Sequence, residues 1–235
     1  MKSLKRIGFA VLTLLAVTMT TSAQDKVEAS LGADIVSQYI WRGQDLGDIS
    51  FQPGVGIEYK GLSLSAWGNV GISQSSDTRE FDLTLAYTTG GFNIGITDYY
   101  FDSEGEKYFE YDSHKTTHVF EVNVGYDFGP VALQWYTNIG GDDGVNNDGD
   151  RAYSSYLELS APFTLGGCDW SAAIGASPFT TDFYGNNGFE IINISLTASK
   201  DIKITDTFSI PVFAQIATNP NKEAAHLVFG FTLQP

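Results

Sequence analysis

The amino-acid sequence predicts an all-β fold: a closed antiparallel transmembrane β-barrel of about 12 strands, with short turns at one end and long loops at the other. Three observations predict it. Apolar and polar residues alternate along most of the chain, short and long connections alternate, and the apolar faces carry few charges. A period of two is typical of strands, and in lipid a sheet satisfies its backbone groups only when it closes on itself.

The alternation is clearest near the start of the chain. Within residues 27–41, seven of the eight odd-numbered positions are apolar, whereas the even-numbered positions are mostly small or polar. We therefore expect a first strand over 27–41. The same pattern predicts the other strands at 54–59, 62–72, 81–87, 91–97, 119–128, 131–139, 152–161, 169–176, 189–198, 208–216 and 225–233.

The connections between these segments fall into two classes. Short ones rich in Gly, Pro or Thr are predicted at 60–61, 88–90, 129–130 and 164–167, and Gly and Pro supply the φ values of tight turns. Long polar ones are predicted at 43–50, 73–80, 98–118, 140–151, 177–188 and 217–224. Only residues 199–207 break the rule, as a longer connection on the short side. Such asymmetry is typical of outer-membrane barrels.

The first 23 residues have the order of a secretory signal peptide. Lys2, Lys5 and Arg6 precede an apolar run over 7–17, which is too short for a transmembrane helix, and small residues lead to Ala23. We expect cleavage after Ala23, so that residues 24–235 form one barrel domain exported to the bacterial outer membrane.

Charge and cysteine content exclude several classes of protein. Removing the three basic residues of the signal peptide leaves 10 Lys and Arg against 28 Asp and Glu, a formal charge of −18. This acidity argues against nucleic acid as a partner and against docking on anionic lipid through a basic patch. Cys168 is the single cysteine, so no internal disulfide is expected.

The apolar faces carry aromatic residues near strand ends, as membrane-interface girdles do. By parity we assign six of them to the lipid-facing side: Tyr39, Trp41, Tyr59, Tyr87, Phe128 and Phe208. A soluble sandwich also alternates, but the many acids and amides on the opposite faces suit a hydrated interior. The membrane barrel is therefore preferred over the sandwich.

Six charged residues are predicted to line the interior of the barrel by parity: Asp34, Arg42, Glu58, Asp82, Glu121 and Glu158. We expect Arg42 to point into the barrel mouth and to meet Asp34 or acids of the loops. It could simply offset crowded carboxylates or could help to define a constriction. Trp67, Tyr136 and Phe213 share the inward parity, so a largely filled lumen stays an alternative.

Residues 37–101 resemble the TorF family of small bacterial outer-membrane porins. The matching residues near the start are Ser37, Tyr39, Trp41, Arg42 and Gly43, and the segments Gln52-Pro53-Gly54, Glu58-Tyr59, Ala66-Trp67-Gly68 and Glu80-Phe81-Asp82-Leu83 follow. The resemblance covers about the first third of the mature chain. It implies a β-barrel with a channel role and no catalytic residues.

Enzymatic and metal-binding alternatives rest on few residues. Of the three histidines, His114, His118 and His226, His114 lies beside Ser113 in a predicted loop. His226 lies in the last predicted strand without an evident Ser partner, so a lipid-modifying enzyme is the weakest hypothesis. Residues 142–150 are rich in oxygen ligands but do not match an EF-hand, which leaves only weak Ca²⁺ binding open. The aromatic loop at 98–112 is expected to fold over the mouth.

These observations predict a porin-like channel for passive diffusion of small polar solutes, cationic or neutral, because rings of Asp and Glu favour cations. The alternative is a closed barrel that acts structurally or binds a ligand or partner through its extracellular loops. No enzyme activity, cofactor or metal site is predicted. The expected partners are outer-membrane lipid and lipopolysaccharide, small polar solutes and the barrel-assembly machinery.

Overall fold

A computed structural model describes residues 26–73, 77–102, 105, 107–112 and 115–235. The predicted signal peptide and two residues of the enzyme hypothesis, Ser113 and His114, lie outside the described residues. Within the described part of the chain, no helix has the length and apolar character needed to cross a membrane.

The described residues form 14 strands and one turn of 3-10 helix, Pro220–Lys222. The strands are β1 (Glu28–Val36), β2 (Tyr39–Trp41), β3 (Gln44–Gly47), β4 (Ser50–Tyr59), β5 (Leu62–Gly71), β6 (Glu80–Thr89), β7 (Phe92–Phe101), β8 (His118–Asp127), β9 (Ala132–Gly141), β10 (Ser155–Leu165), β11 (Cys168–Ser177), β12 (Glu190–Lys203), β13 (Ser209–Asn219) and β14 (Ala224–Leu233).

Twelve of these strands form one closed antiparallel barrel, in which β1 is followed by β4 and then by the later strands in chain order. The barrel closes where β1 pairs with β14, from Ala33 opposite Leu233 to Val36 opposite Gly230. On its other side β1 pairs with β4 from Glu28 to Val36. The predicted fold class and strand number are therefore confirmed.

The two ends of the barrel differ as predicted, with one correction. The connection after β12 was expected to be long, but β12 continues to Lys203, and residues 204–208 form a short turn. The reason is that Ile202 and Lys203 keep their antiparallel partners on β13. We call this end the turn end and the opposite one the loop end.

The outer wall is a continuous apolar surface of strand residues that are more than a third exposed, such as Leu31, Val55, Leu85, Ile96 and Leu159. Tyr59, Tyr87, Phe128 and Phe208 are exposed near the turn end, as expected for an aromatic girdle. These four assignments agree with the structure.

The assignment of Tyr39 and Trp41 to the outer girdle is wrong. The first strand does not run to residue 41 but ends at Val36, and the chain then turns into the lumen, where β2 and β3 pair only with each other. Tyr39 and Trp41 are 7% and 6% exposed inside the barrel. Inside, the Tyr39 hydroxyl donates to Glu80 at 2.9 Å, a partner that lipid would not supply.

We call β2, β3 and the turn between them the plug hairpin. Its turn residues Arg42 and Gly43 have φ values of 51° and 77°, as in the two-residue turns that match the twist of a hairpin. A Cβ at Gly43 would collide with the carbonyl oxygen of Ile192 on β12. The Asn219 side chain donates to the Gly43 carbonyl at 3.1 Å, so the hairpin tip seats against the far wall.

Gly43→Ala should destabilise the protein more than Gly149→Ala. Both positions have similar positive φ values, 77° and 80°, but only Gly43 has a backbone neighbour where the methyl group would lie. We expect a loss of about 1–2 kcal/mol from strain at either site, with about 1–3 kcal/mol more from overpacking at Gly43. Urea unfolding of the refolded barrel, followed by tryptophan fluorescence, measures the difference. Equal losses in the two variants would contradict the tight seat.

Candidate functional site: the plugged lumen

The lumen has two different halves. In the turn-end half the inward residues are polar and half-exposed, and we call this half the vestibule; it includes Ser63, Ser65, Thr84, Asn93 and Asn123. In the loop-end half a buried cluster fills the space, formed by Tyr39, Trp41, Tyr99, Val119, Tyr156, Tyr184 and Ile192. The vestibule is therefore accessible to solvent, and the plug closes the lumen above it.

Two segments build the plug. The first is the plug hairpin, whose Trp41 ring packs against Tyr99 of the wall with centroids 5.7 Å apart. The second is the loop between β11 and β12, which supplies Phe183 and Tyr184 at 6.1 and 6.2 Å from Trp41. Trp67 and Tyr136, which were predicted to face inward, pack against this cluster.

Arg42 connects the plug hairpin to the opposite wall. Its guanidinium donates to both carboxylate oxygens of Glu121 on β8, at 2.5 and 2.9 Å, and to the Tyr184 hydroxyl at 2.6 Å. Its Cζ atom lies 4.1 Å from the Tyr136 ring centroid and 4.7 Å from that of Tyr156, distances at which cation–π attraction operates. The prediction that Arg42 points inward agrees with these contacts, but its partner is Glu121 rather than Asp34 or a loop acid.

The charge of Arg42 is maintained despite its burial. Burial opposes the charged form, but the carboxylate of Glu121 outweighs this effect and leaves the pKa of Arg42 above its ordinary value. A paired, two-pronged contact of this kind is strong and geometrically specific. The arginine therefore fixes the orientation of the plug.

Tyrosine hydroxyls also donate hydrogen bonds to the buried acids. Tyr99 donates to Glu121 at 2.9 Å, and Tyr156 donates to Glu158 at 2.7 Å. The Asn193 side chain donates to the Tyr156 hydroxyl at 3.1 Å. Uncharged tyrosine hydroxyls thus serve as hydrogen-bond donors to carboxylates in a lumen where Arg42 is the single buried Lys or Arg of the described ranges.

The six residues predicted to line the interior fall into different regions. Arg42 and Glu121 meet, and Glu158 and Asp82 lie buried in the same half of the lumen. Asp34 is buried on β1 and accepts from Thr232 at 2.6 Å, at the seam with β14. Glu58 is exposed at the turn end, opposite Glu28. That these residues line a solute pathway stays a prediction.

Sequence reasoning missed several residues of the plugged lumen: Glu80, Tyr99, Tyr156 and Tyr184. Glu80 was placed in a connection, although it shares the parity of Asp82 two positions later. A second missed signal is Arg42-Gly43 between two short alternating segments, a pattern typical of a tight hairpin. Nothing in the sequence indicates that Tyr184 reaches this cluster from a loop.

The buried charges are unbalanced. Five carboxyl groups are buried, those of Asp34, Glu80, Asp82, Glu121 and Glu158, whereas Arg42 is the single buried Lys or Arg within the described ranges. A low-dielectric wall strengthens the field of such charges. Within the described ranges, buried acidic side chains therefore outnumber buried basic ones inside the barrel.

Two of the three histidines, His118 and His226, lie in barrel strands, and both ring nitrogens of His118 have partners. His118 faces the outer wall, where Nδ1 is 2.6 Å from the Asp98 carboxylate and Nε2 is 2.6 Å from the Tyr108 carbonyl oxygen. Because both ring nitrogens have partners, neither is free to activate a hydroxyl. Tyr108 and Tyr111 pack around His118, so this loop covers the outer wall rather than the mouth, contrary to expectation.

The acidic loop at 142–150 uses its oxygens within the fold. Asp143 accepts from the Asn138 side chain at 3.0 Å, and Asn146 accepts from the amides of Asp148 and Asp150 at 2.9 and 3.0 Å. Burial, and then the charges of Asp143 and Asp182, raise the pKa of Asp142. No group of three or more His, Cys, Asp or Glu side chains is arranged for a metal in the described part of the chain.

Among the solved structures that match this chain are two distant likenesses in fold. A porin refined at 1.8 Å is 15% identical with a TM-score of 0.37, over 89% of this chain and 77% of that one. A Salmonella typhi OmpF in complex with daunomycin is 9% identical with a TM-score of 0.34, over 89% of this chain and 97% of that one. No protein-family model matches the chain. No curated protein matches it either, and the resemblance to the TorF family stays a prediction.

Arg42→Gln should destabilise the protein by about 3–5 kcal/mol, because it leaves Glu121 buried without its charged partner. Adding Glu121→Gln should recover part of that loss. Lys203→Gln is the control, since it breaks an equally direct but exposed pair with Asp206 and should change stability by less than about 1 kcal/mol. Urea unfolding of five proteins measures the differences: the native protein, Arg42→Gln, Glu121→Gln, the double variant and Lys203→Gln. Additive effects of Arg42→Gln and Glu121→Gln would contradict the coupling.

Proposed function

We propose that this protein is an outer-membrane channel for small polar solutes, with a preference for cations, whose lumen the plug hairpin closes in the described conformation. The observation that carries the proposal is the excess of buried carboxyl groups around the single arginine of the plug. Rings of Asp and Glu favour cations in channels.

The outer wall supports a membrane location. Its exposed residues are apolar over the length of the strands, and exposed aromatic residues mark the turn end. Such a surface in water would be far larger than the patches that monomeric soluble proteins expose. In lipid it is stable, because the closed sheet leaves no unpaired edge. The bacterial outer membrane, reached by a cleaved signal peptide, fits this surface.

The interior supports transport better than a purely structural role. Burying carboxyl groups costs free energy, and apolar residues of similar size would fill a barrel at lower cost. The interior instead keeps acids, amides and hydroxyls from the vestibule up to the plug. These residues suit the passage of hydrated solutes when the plug is displaced.

The plug hairpin is a separate unit. The strands β2 and β3 form their own two-stranded sheet and add no strand to the barrel. Its displacement would break side-chain contacts such as Arg42 to Glu121 and leave the barrel hydrogen bonds intact. A conformational gate needs an element of this kind.

A second candidate is a closed barrel that binds a ligand or partner at its loops. It is favoured by the burial of the inward residues at the loop end, where Asn69, Asn138 and Asn219 are 1% exposed or less. The two candidates differ in whether current ever flows through the protein.

Planar-bilayer recordings test the channel. We expect rare openings of the native protein. The open probability of Arg42→Gln should be at least tenfold higher, because the loss of about 3 kcal/mol of stabilisation of the closed plug shifts the equilibrium between the closed and open states by about a hundredfold. Under a KCl gradient, the reversal potential should have the sign that selectivity for K⁺ over Cl⁻ produces. Arg79→Gln is the control, because Arg79 is 54% exposed and 3.7 Å from Asp102.

The absence of current in the native protein and in Arg42→Gln, with both barrels folded, would reject the channel and leave the loop-binding candidate. Folding is checked by the heat-dependent shift in gel mobility that closed barrels show. Currents that reverse on the anion side would reject the cation preference.

A further inference from the structure

We propose that Glu80 and Asp82 form a binding site for a divalent cation of the Ca²⁺ type at the inner end of the vestibule. This inference deepens the proposed function, on which its biological meaning rests, by naming a cation site in the same lumen.

The side chains of Glu80 and Asp82 are buried with few hydrogen-bond partners. Both lie on the inward face of β6 and are buried, with Glu80 7% and Asp82 2% exposed. Glu80 accepts one hydrogen bond, from the Tyr39 hydroxyl at 2.9 Å. Neither carboxylate oxygen of Asp82 has a hydrogen-bond donor among the described residues.

Trp67 on β5 is the cross-strand partner of Asp82 on β6. Its indole nitrogen is also buried without a partner among the residues that the structure describes. Buried polar atoms are normally satisfied, and exceptions often mark an ion or water. An unpartnered donor and two unpartnered acceptors on neighbouring strands indicate a polar guest between them.

Two neighbouring carboxylates need a positive charge or a proton to offset them. Glu80 and Asp82 lie two positions apart on the inward face of β6, so their carboxylates repel each other unless a positive charge lies between them. Arg42 cannot supply it, because both of its terminal nitrogens donate to Glu121. A cation, or one shared proton, must therefore offset the pair.

Asp82 lies next to the part of the lumen that solvent reaches. Asp82 is the last fully buried acid on β6, and the next inward residue toward the turn end, Thr84, is half-exposed in the vestibule. On the neighbouring strand, Ser65 is half-exposed at the same level as Thr84. The solvent of the vestibule therefore comes within one inward position of Asp82.

The chemistry of the pair selects the kind of cation. Carboxylate oxygens are ligands of hard cations, and two negative charges match one divalent ion. Because the described residues offer no third acidic ligand, vestibule water must complete the coordination. A water on the ion keeps a lone pair that can accept from the Trp67 indole. We expect binding weaker than that of an EF-hand, and Ca²⁺ tolerates such irregular geometry better than Mg²⁺.

The experiment uses Tb³⁺ as the probe, with the folded full-length mature chain in detergent. Tb³⁺ occupies Ca²⁺ sites and emits strongly when a nearby indole or phenol absorbs, and Trp67 and Tyr39 adjoin this site. We expect saturable emission on excitation of the protein, displaced by added Ca²⁺. Asp82→Asn should weaken the apparent affinity at least tenfold.

Asp148→Asn is the matched control, because Asp148 is exposed in the acidic loop. It should leave the emission unchanged. Trp67→Phe should reduce the emission while calorimetry still detects Ca²⁺ binding. Asn has the shape of Asp, Phe keeps one aromatic ring at position 67, and gel mobility confirms that each barrel is closed.

Equal emission from Asp82→Asn and the native protein would overturn the site. So would the absence of saturable binding in the native protein, which would leave a shared proton as the partner of the pair. Because this measurement needs no current, binding without conductance would reject the channel alone, and conductance without binding would reject the cation site alone.

Discussion

Closure of the sheet between β1 and β14 is the constraint on which the rest of the structure depends. Once these strands pair, every barrel strand has two neighbours, and the wall separates an inner from an outer surface. The outer surface can then be apolar without exposing backbone groups to lipid. The inner surface becomes a compartment whose contents the chain itself must supply.

The chain supplies these contents by folding its first loop inward. The turn residues Arg42 and Gly43 bring a short hairpin across the lumen, where Gly43 seats on β12 and Arg42 reaches β8. The aromatic rings of this hairpin and of one further loop fill the loop-end half. A barrel of this size would otherwise hold water along its full length, so the plug decides how much of the interior is hydrated.

The plug also concentrates charge. Buried acids outnumber the single buried arginine of the described chain, and Glu80 and Glu121 accept hydrogen bonds from the plug hairpin. A channel, a cation site and a closed barrel make different use of the same acids, which is why binding and conductance need separate measurements. The separate sheet of the plug hairpin bears on all three, because it contributes no strand to the barrel wall.

The sequence by itself determined the barrel, its strands and the end that carries the loops, because period-two alternation and tight-turn residues are local signals. It also placed Asp82, Glu121 and Glu158 inside, since parity along a strand needs no knowledge of the partner strands. Parity failed at Tyr39 and Trp41, where the strand had already ended.

Only the tertiary structure decided that the first loop enters the lumen. The pairing of Arg42 with Glu121 joins residues 79 positions apart, and the contact with Tyr184 spans 142 positions. Such contacts depend on which strands face each other across the barrel, and no local pattern encodes that geometry. For the same reason the unpartnered oxygens of Asp82 became visible only when its neighbours were in place.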